Sequence, residues 1–159
     1  MSTNNKITIR RPNPHDDIDA ITAIYADAVL NTTATYELDP PSRGEMHKRI
    51  TNIQEGSFPC FVAEETHHEG PIMQGYAYAS PFRPRPAYRF TVEHSVYIAS
   101  DARGRCIRRL LMEVVITECE KLGFRQMVAV IGDGRGKNAS VEFHRKLGFR
   151  HSGVLEGSG

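Results

Sequence analysis

A strand, an arginine-rich turn, a helix and a second strand follow one another between residues 90 and 131, and this order constrains the fold more than any other feature. Phe90 to Ile98 is a candidate strand. The apolar residues from Ile107 to Leu122 keep to one helical face, and Gly123 supplies a left-handed stop. Gln126 to Ile131 (QMVAVI) is an apolar run typical of a buried strand. The passage predicts a right-handed crossover between parallel neighbours, so the helix begins at the carboxyl edge of the sheet, where ligands bind.

The remaining segments predict hairpins early and one more helix late. One helix follows Asp16 or Asp17, and Ser42 with Glu45 forms a capping box for a second helix that ends near Gln54. The other predicted elements are strands at Lys6 to Arg11, Cys60 to Glu64, Met73 to Ala79 and Arg150 to Leu155, a loop at Pro81 to Pro86 and a helix at Ala139 to Leu147. The order β-α-α-β-β-β-α-β-α-β is an α/β (α+β) fold, and 159 residues predict a single domain over 1–159.

Composition argues against several classes of protein. Lys and Arg total 20 against 19 Asp and Glu, so a net charge of +1 gives no global attraction to nucleic acid or to an acidic membrane. Cys60, Cys106 and Cys119 stand at no metal-ligand or redox-motif spacing, which argues for a reduced compartment and against a zinc site. The sequence has no signal peptide and no apolar run of membrane-spanning length. We therefore expect a cytoplasmic protein without metal, nucleic-acid partner or membrane partner.

The turn before the long helix is rich in arginine. Its arginines are Arg103, Arg105, Arg108 and Arg109. Amides in the first turn of a helix, together with the helix dipole, attract phosphate, and these side chains add positive charge. An ordinary solvated helix start is the alternative, and spacing alone does not separate the two.

Several motifs carry a family resemblance. The stretch ARGRCIRRLLMEVVI after a VYIASD strand, then QMVAVIGD and a helix ending in FHRKLGF, resembles the GNAT superfamily of N-acetyltransferases. ATYELDPPS, YAYASPFRPRPAYRFTVEHSVYI and VAVIGD are similar to its phosphinothricin N-acetyltransferase branch, and the likeness runs from about Ile7 to Leu155. The resemblance implies a mixed sheet split between its fourth and fifth strands, acetyl-CoA as co-substrate, a small amino acid or analogue as the acetylated amine, and a homodimer. We expect the last strand of the family fold, beyond the position of Leu155, to be missing.

The resemblance also implies a cofactor site. The family's Arg-x-x-Gly-x-Gly turn, which wraps the CoA diphosphate, matches Arg103, Gly104, Arg105, Cys106, Ile107 and Arg108. Val96, Tyr97 and Ile98 match the strand beside the thioester, where an amide of Val96 or Ile98 would polarise the carbonyl, and Asn138 resembles the asparagine that holds the CoA arm.

Two residues of the turn depart from the family pattern. Cys106 and Arg108 stand where the family has glycine. A Cβ at either position intrudes on backbone that must approach the phosphate closely, so we expect acetyl-CoA binding to be weakened. Helical dihedrals are open to both residues, so we expect the turn to form and binding to be retained in this weakened form.

Two residues are implied as catalytic. Glu93 matches the acidic residue proposed as the base that deprotonates the amine, and His144 stands where the branch has the histidine thought to protonate the leaving thiolate. From position alone, Glu93 is more often a cross-strand salt-bridge partner, and His144 an ordinary helix histidine.

Substrate recognition is assigned to loops. Arg83 and Arg85 match basic residues of the branch and suit a carboxylate or phosphinate, and Tyr36 and Tyr88 match its aromatic contacts. Without the resemblance, PFRPRP reads as a solvated basic turn. A catalytically impaired CoA-binding protein is the second hypothesis, and a protein-interaction or nucleic-acid module that uses the arginine cluster is the third.

Overall fold

A mixed sheet of five strands in the order β1-β2-β3-β4-β5 forms the frame of the computed structural model, which describes residues 5–132 and 139–155. The strands are β1 (Ile7–Arg10), β2 (Cys60–His67), β3 (Gly70–Pro81), β4 (Thr91–Ile98) and β5 (Gln126–Val128). The first four pair antiparallel, and β5 pairs parallel to β4. The crossover from β4 to β5 that the sequence predicts is therefore confirmed.

Four helices flank the sheet. They are α1 (Ile18–Asn31), α2 (Arg43–Glu55), α3 (Ile107–Lys121) and α4 (Ala139–Lys146), with short 3-10 helices at Pro86–Tyr88 and Ser100–Ala102. The predicted cap of α2 is present, since Ser42 Oγ accepts a hydrogen bond from the Glu45 amide at 3.1 Å. Within the described part of the chain, no helix is both long and apolar enough to cross a membrane.

The apolar side chains form one cluster on each face of the sheet. Alternation along β2 sends Phe61 and Ala63 to one face and Cys60 and Val62 to the other. The first face is covered by α3 through residues that include Ile107, Leu111, Met112 and Val115. The second face is covered by α1 and α2 through residues that include Ile18, Ile21, Met46 and Ile50. The two faces thus present different surroundings to alternate residues of β4.

Strands β4 and β5 separate after three paired residues. Their register ends at Glu93 opposite Val128, whereas β4 continues paired with β3 as far as Ile98. The Ala99 amide donates to β3, at the Gln74 carbonyl, and the Arg125 amide donates to the Phe90 carbonyl on the β5 side. Backbone groups alternate sides along a strand, so the amides of Val96 and Ile98 point toward the β5 side, beyond the last paired residues. The expected split between the fourth and fifth strands is confirmed.

Three local expectations are wrong. The strand expected at Gln126 to Ile131 ends at Val128, where its pairing with β4 ends, and it lies at the edge of the sheet with no buried residue. Residues 150–155 form no strand; their side chains are exposed, so no apolar face is buried to hold one. Cys106 does not take helical dihedrals but lies in the left-handed region, with φ at 63°.

Candidate active site

Glu93 lies on β4 where β5 departs. Its cross-strand neighbours are Ser80 on β3 and Val128 on β5, neither of which is charged. It forms no ion pair with any residue that the structure describes, so the geometry does not support the salt-bridge alternative. Partial burial raises the pKa of the carboxyl, and the positive charge of Arg83 opposes that rise. A carboxylate with a raised pKa is a stronger base than an exposed one.

A layer of tyrosines lies on the same face of the sheet as Glu93. Tyr78 stands opposite Ser95, two residues along β4, and the Tyr97 ring packs edge-on against Tyr25 at 5.0 Å. The Tyr25 hydroxyl donates to Glu37 Oε1 at 2.6 Å. These groups give the face between the sheet and α1 polar atoms in an aromatic surrounding, which suits a small polar ligand.

His94 and His144 form a buried pair on the opposite face. Their Nε2 atoms lie 2.9 Å apart, the rings stack at 4.9 Å between centroids, and the residues are 8% and 5% exposed. Burial lowers both pKa values, that of His94 to about 3, with the neighbouring ring adding to the effect at His94. Both rings are therefore neutral near pH 7.

The contacts of the pair fix its tautomers. His144 Nδ1 lies 2.7 Å from the Ser140 carbonyl oxygen, which only accepts, so His144 carries its proton on Nδ1. His144 Nε2 is then an acceptor, and His94 Nε2 must be the donor. His94 Nδ1 is left as a buried acceptor with no partner among the described residues. Both ring nitrogens of His144 are thus engaged by the protein.

The turn before α3 is built on two left-handed residues. Gly104 and Cys106 both have positive φ, at 78° and 63°, and Cys106 is the N-cap residue of α3. A Cβ added at Gly104 would meet no atom within 4 Å, so the space over the turn is open. The Ile107 side chain is buried in the core cluster, 1% exposed, and so packs away from solvent. Exposed first-turn amides in an open turn fit the diphosphate of acetyl-CoA.

Three of the four arginines near the turn hold carboxylates of the protein itself. Arg103 pairs with Asp27 on α1 at 3.1 Å, Arg105 pairs with Glu65 on β2, and Arg109 pairs with Glu113 at 2.8 Å.

Arg108 differs from these three. Its Nη2 donates to Ser140 Oγ at 2.9 Å, and its guanidinium lies 4.2 Å from the centre of the Phe143 ring. Burial lowers its pKa. Within residues 5–132 and 139–155 it has no carboxylate partner, which leaves its charge available to an anion.

The β3–β4 loop forms the candidate acceptor site. Arg83, Arg85 and Tyr88 line an open cleft of about 410 Å³. The Arg83 guanidinium lies 4.9 Å from the Phe82 ring centre, and the Tyr88 ring packs edge-on against the same ring at 5.7 Å.

Tyr36 lies elsewhere, on the α1–α2 connection, and it is exposed. A Cβ added at Gly132 would come within 3.9 Å of Tyr36 Cζ, so Tyr36 stands beside the chain that leaves β5. Asn138 lies outside the described residues.

Two buried residues were missed from the sequence. His94 interrupts the apolar series Val92, Val96 and Ile98, and Glu65 follows Phe61 and Ala63 with the same period of two. A titratable residue at an apolar position of a strand is a signal that could have revealed both. In the described part of the chain, no group of three or more His, Cys, Asp and Glu side chains is placed to hold a metal ion.

Comparison with known proteins agrees with this geometry. Residues 9–159 match the family model described as "Acetyltransferase (GNAT) domain". The chain is 45% identical over 144 residues to the phosphinothricin N-acetyltransferase of Alcaligenes faecalis, covering 91% of this chain and 71% of that one. It is 36% identical over 139 residues to an L-methionine sulfoximine/L-methionine sulfone acetyltransferase of Pseudomonas aeruginosa, covering 87% and 78%.

A solved structure is also similar. It is that of a GNAT superfamily phosphinothricin acetyltransferase from Sinorhizobium meliloti in complex with AcCoA. It superimposes with a TM-score of 0.88 at 43% identity, over 96% of this chain and 80% of that one. The resemblance seen in the sequence is confirmed, and the chain belongs to the GNAT acetyltransferase family.

Proposed function

We propose that this chain transfers the acetyl group of acetyl-CoA to the amino group of a small amino acid or analogue of the phosphinothricin or methionine sulfoximine type. The names of its relatives support this substrate class. One observation carries the proposal: Glu93, whose pKa is raised, lies on β4 at the point where β5 separates. An ammonium group must lose a proton before its nitrogen can attack a thioester. A carboxylate beside the gap between β4 and β5 is a suitable base for that proton.

The donor side of the site is made largely of backbone. Acetyl-CoA supplies an acetyl group activated as a thioester. The amides of Val96 and Ile98, which point toward the β5 side beyond the last pair of β4 and β5, are the proposed donors to the thioester carbonyl oxygen. The first-turn amides of α3 are the proposed donors to the diphosphate. The residues proposed to form this site are Val96, Tyr97, Ile98, Arg103, Gly104, Arg105, Cys106, Ile107, Arg108 and Asn138.

The acceptor side brings the amine to Glu93. Arg83 and Arg85 are proposed to bind the carboxylate or phosphinate of the substrate, because planar guanidinium groups match two acceptor oxygens. Tyr36 and Tyr88 are proposed as walls for its short side chain. Glu93 takes one proton from the substrate ammonium at a carboxylate oxygen, directly or through water, which leaves a neutral nitrogen to attack.

His144 is the proposed carrier of the second proton. The attacking amine releases a proton as the new N–C bond forms, and the departing sulfur takes one up. His144 Nε2 takes up the proton that the amine releases, which forms a transient imidazolium because Nδ1 keeps its proton on the Ser140 carbonyl, and the same nitrogen then gives the proton to the departing sulfur. Burial lowers the pKa of His144, so this charged form gives up its proton readily. This role requires His144 Nε2 to leave His94 Nε2 during the reaction.

A second candidate function is CoA binding without transfer. The left-handed Cys106, in a position that favours glycine, and the Arg108 side chain that extends to Ser140 favour it. For the protein as a whole, we propose a single domain over residues 1–159 in a cytoplasmic homodimer, with no nucleic-acid or membrane partner.

The test is an assay of purified protein with acetyl-CoA and a panel of amines that includes phosphinothricin and methionine sulfoximine. We expect release of free thiol together with a product heavier by one acetyl group. Glu93→Gln should lower kcat about 10²- to 10⁴-fold, the usual contribution of a general base, whereas Glu120→Gln on the exposed face of α3 should not. Binding of CoA by calorimetry without turnover of any amine would select the second candidate.

A further inference from the structure

Arg105 and Glu65 form an ion pair at the turn before α3. Arg105 Nη1 donates to Glu65 Oε2 at 3.1 Å, and Arg105 Nη2 donates to Glu65 Oε1, so the contact is bidentate. The Glu65 side chain is only 3% exposed, and it also accepts a hydrogen bond from His67 Nε2 at 2.9 Å. Separating Glu65 from Arg105 would therefore destabilise the folded protein, because a buried charge without a partner is strongly destabilising.

The turn is held from both sides of the sheet. Glu65 follows the β2 residues that face α3, so Arg105 reaches across that face. Arg103 reaches α1, on the opposite face, and pairs with Asp27. The backbone between these two arginines includes Gly104, whose φ of 78° is left-handed. The two ion pairs therefore fix the position of the turn relative to α1 and β2.

We propose that Glu65 is a positioning residue, which fixes the turn before α3 through Arg105 so that the amides of Gly104 to Ile107 are preset for the diphosphate of CoA. This inference rests on the proposed binding of acetyl-CoA. It assigns Arg105 to the protein's own carboxylate, and it leaves the backbone amides and Arg108 to contact the anion.

The alternative assignment predicts the opposite sign. If Arg105 were itself a phosphate ligand, Glu65 would compete with the phosphates for it, and removing the Glu65 charge would tighten CoA binding. If Glu65 positions the turn, removing its charge lets the turn leave the binding conformation. The apparent affinity then falls in proportion to the time the turn spends in that conformation.

The experiment is calorimetric titration of CoA into the full chain and into Glu65→Gln. We expect Kd to rise about tenfold, corresponding to a turn that is competent about a tenth of the time, with kcat at saturating acetyl-CoA within about twofold of the wild type. Glu64→Gln is the matched control. It removes the same charge one residue earlier on β2, where Glu64 pairs with Arg10 at 2.9 Å instead of with the turn. Its Kd should stay at the wild-type value.

A donor without diphosphate separates positioning from damage to the fold. With S-acetylpantetheine as donor, Glu65→Gln and the wild type should have equal kcat/KM, because the turn then has nothing to bind. Arg105→Gln replaces the arginine by a neutral side chain and leaves the buried Glu65 with His67 as its partner, so it should weaken CoA binding at least as much as Glu65→Gln does and should leave the salt dependence of Kd unchanged. Unchanged or tighter binding by Glu65→Gln, or an equal loss with S-acetylpantetheine, overturns the inference. Failure of the wild type to bind CoA overturns the proposed function instead.

Discussion

Cys106 is the residue that most departs from what its backbone favours. A side chain with a Cβ in the left-handed region costs about 1–2 kcal/mol relative to helical dihedrals, and glycine avoids this cost. Since glycine also gains freedom in the unfolded chain, we expect Cys106→Gly to raise the free energy of unfolding by about 0.5–1 kcal/mol. Urea unfolding measures this change. Cys106→Ala removes the thiol and keeps the Cβ, so an equal gain in that variant would show that strain is not the cause.

The His94–His144 pair predicts how stability depends on pH. Both rings have lowered pKa values in the folded protein, that of His94 about 3, whereas an unfolded histidine titrates near 6.5. Below about pH 6.5 the unfolded chain binds protons that the folded pair does not bind. The free energy of unfolding therefore falls as the pH decreases from about 6.5 toward the folded pKa values.

Urea unfolding at a series of pH values between about 7 and 4 tests this dependence. The free energy of unfolding should fall more steeply with acid in the wild type than in His94→Asn, which removes one of the two titrating rings. His47→Asn, on the exposed face of α2, should retain the wild-type slope. Identical slopes in all three proteins would contradict the assignment of a neutral buried pair.

At this scale, sequence predicts which residues are special better than it predicts their partners. Arg103, Arg105, Arg108 and Arg109 are visible as a cluster, and the pairing of Arg109 with Glu113 four residues later follows from helical spacing. Asp27, Glu65 and Ser140, the partners of the other three arginines, are distant in sequence. These three partners are set by which strands and helices become neighbours. A pattern of spacing does not contain that information.

The elements were predicted best where local chemistry determines them. The Ser42 cap starts α2, and the β2–β3 hairpin and the β4–α3–β5 crossover follow from pattern and connection rules. The apolar run at 126–131 indicated a strand correctly, but it wrongly indicated a buried one, because β5 is the edge strand of the described sheet and Val130 is exposed. It also could not indicate how long a partner strand stays alongside. Where β4 and β5 part is a property of the assembled sheet, and it is the part that matters for the site.

The β3–β4 loop and β4 are coupled through Arg83 and Glu93. Burial raises the Glu93 pKa and the charge of Arg83 lowers it, so Arg83→Gln should raise that pKa further. If Glu93 is the base, activity is lost as the pH falls through its pKa, and the acid limb of the kcat/KM profile should move to higher pH in this variant.

Arg85→Gln is the control for this prediction. Arg85 lines the same cleft, so its loss should raise the KM for a carboxylate-bearing amine. It has no identified effect on Glu93, so the acid limb should stay in place. A shift of equal size in both variants would show that the loop acts on activity by some route other than the charge of Arg83.

In the whole molecule, alternate side chains of β4 face opposite sides of the sheet. Glu93, Ser95 and Tyr97 face the side of α1 and α2, where the amine is proposed to bind. His94 faces α3 and α4 with the core cluster that carries the turn. The split between β4 and β5 connects the two sides, so a thioester held from one face can meet an amine held from the other. In the proposed function, one strand serves both substrates because the sheet opens beside it.

Binding on this opened sheet should stabilise the whole fold. A ligand that binds only the folded chain raises the free energy of unfolding by RT ln(1 + [L]/Kd), about 2.7 kcal/mol at 100 times Kd. We expect CoA to raise the thermal midpoint continuously with concentration, and S-acetylpantetheine to raise it less at equal concentration because the turn before α3 contributes nothing to its binding. Scanning calorimetry at several ligand concentrations measures both. Equal shifts from the two ligands would mean that the turn before α3 holds no part of CoA, whatever the activity of the protein.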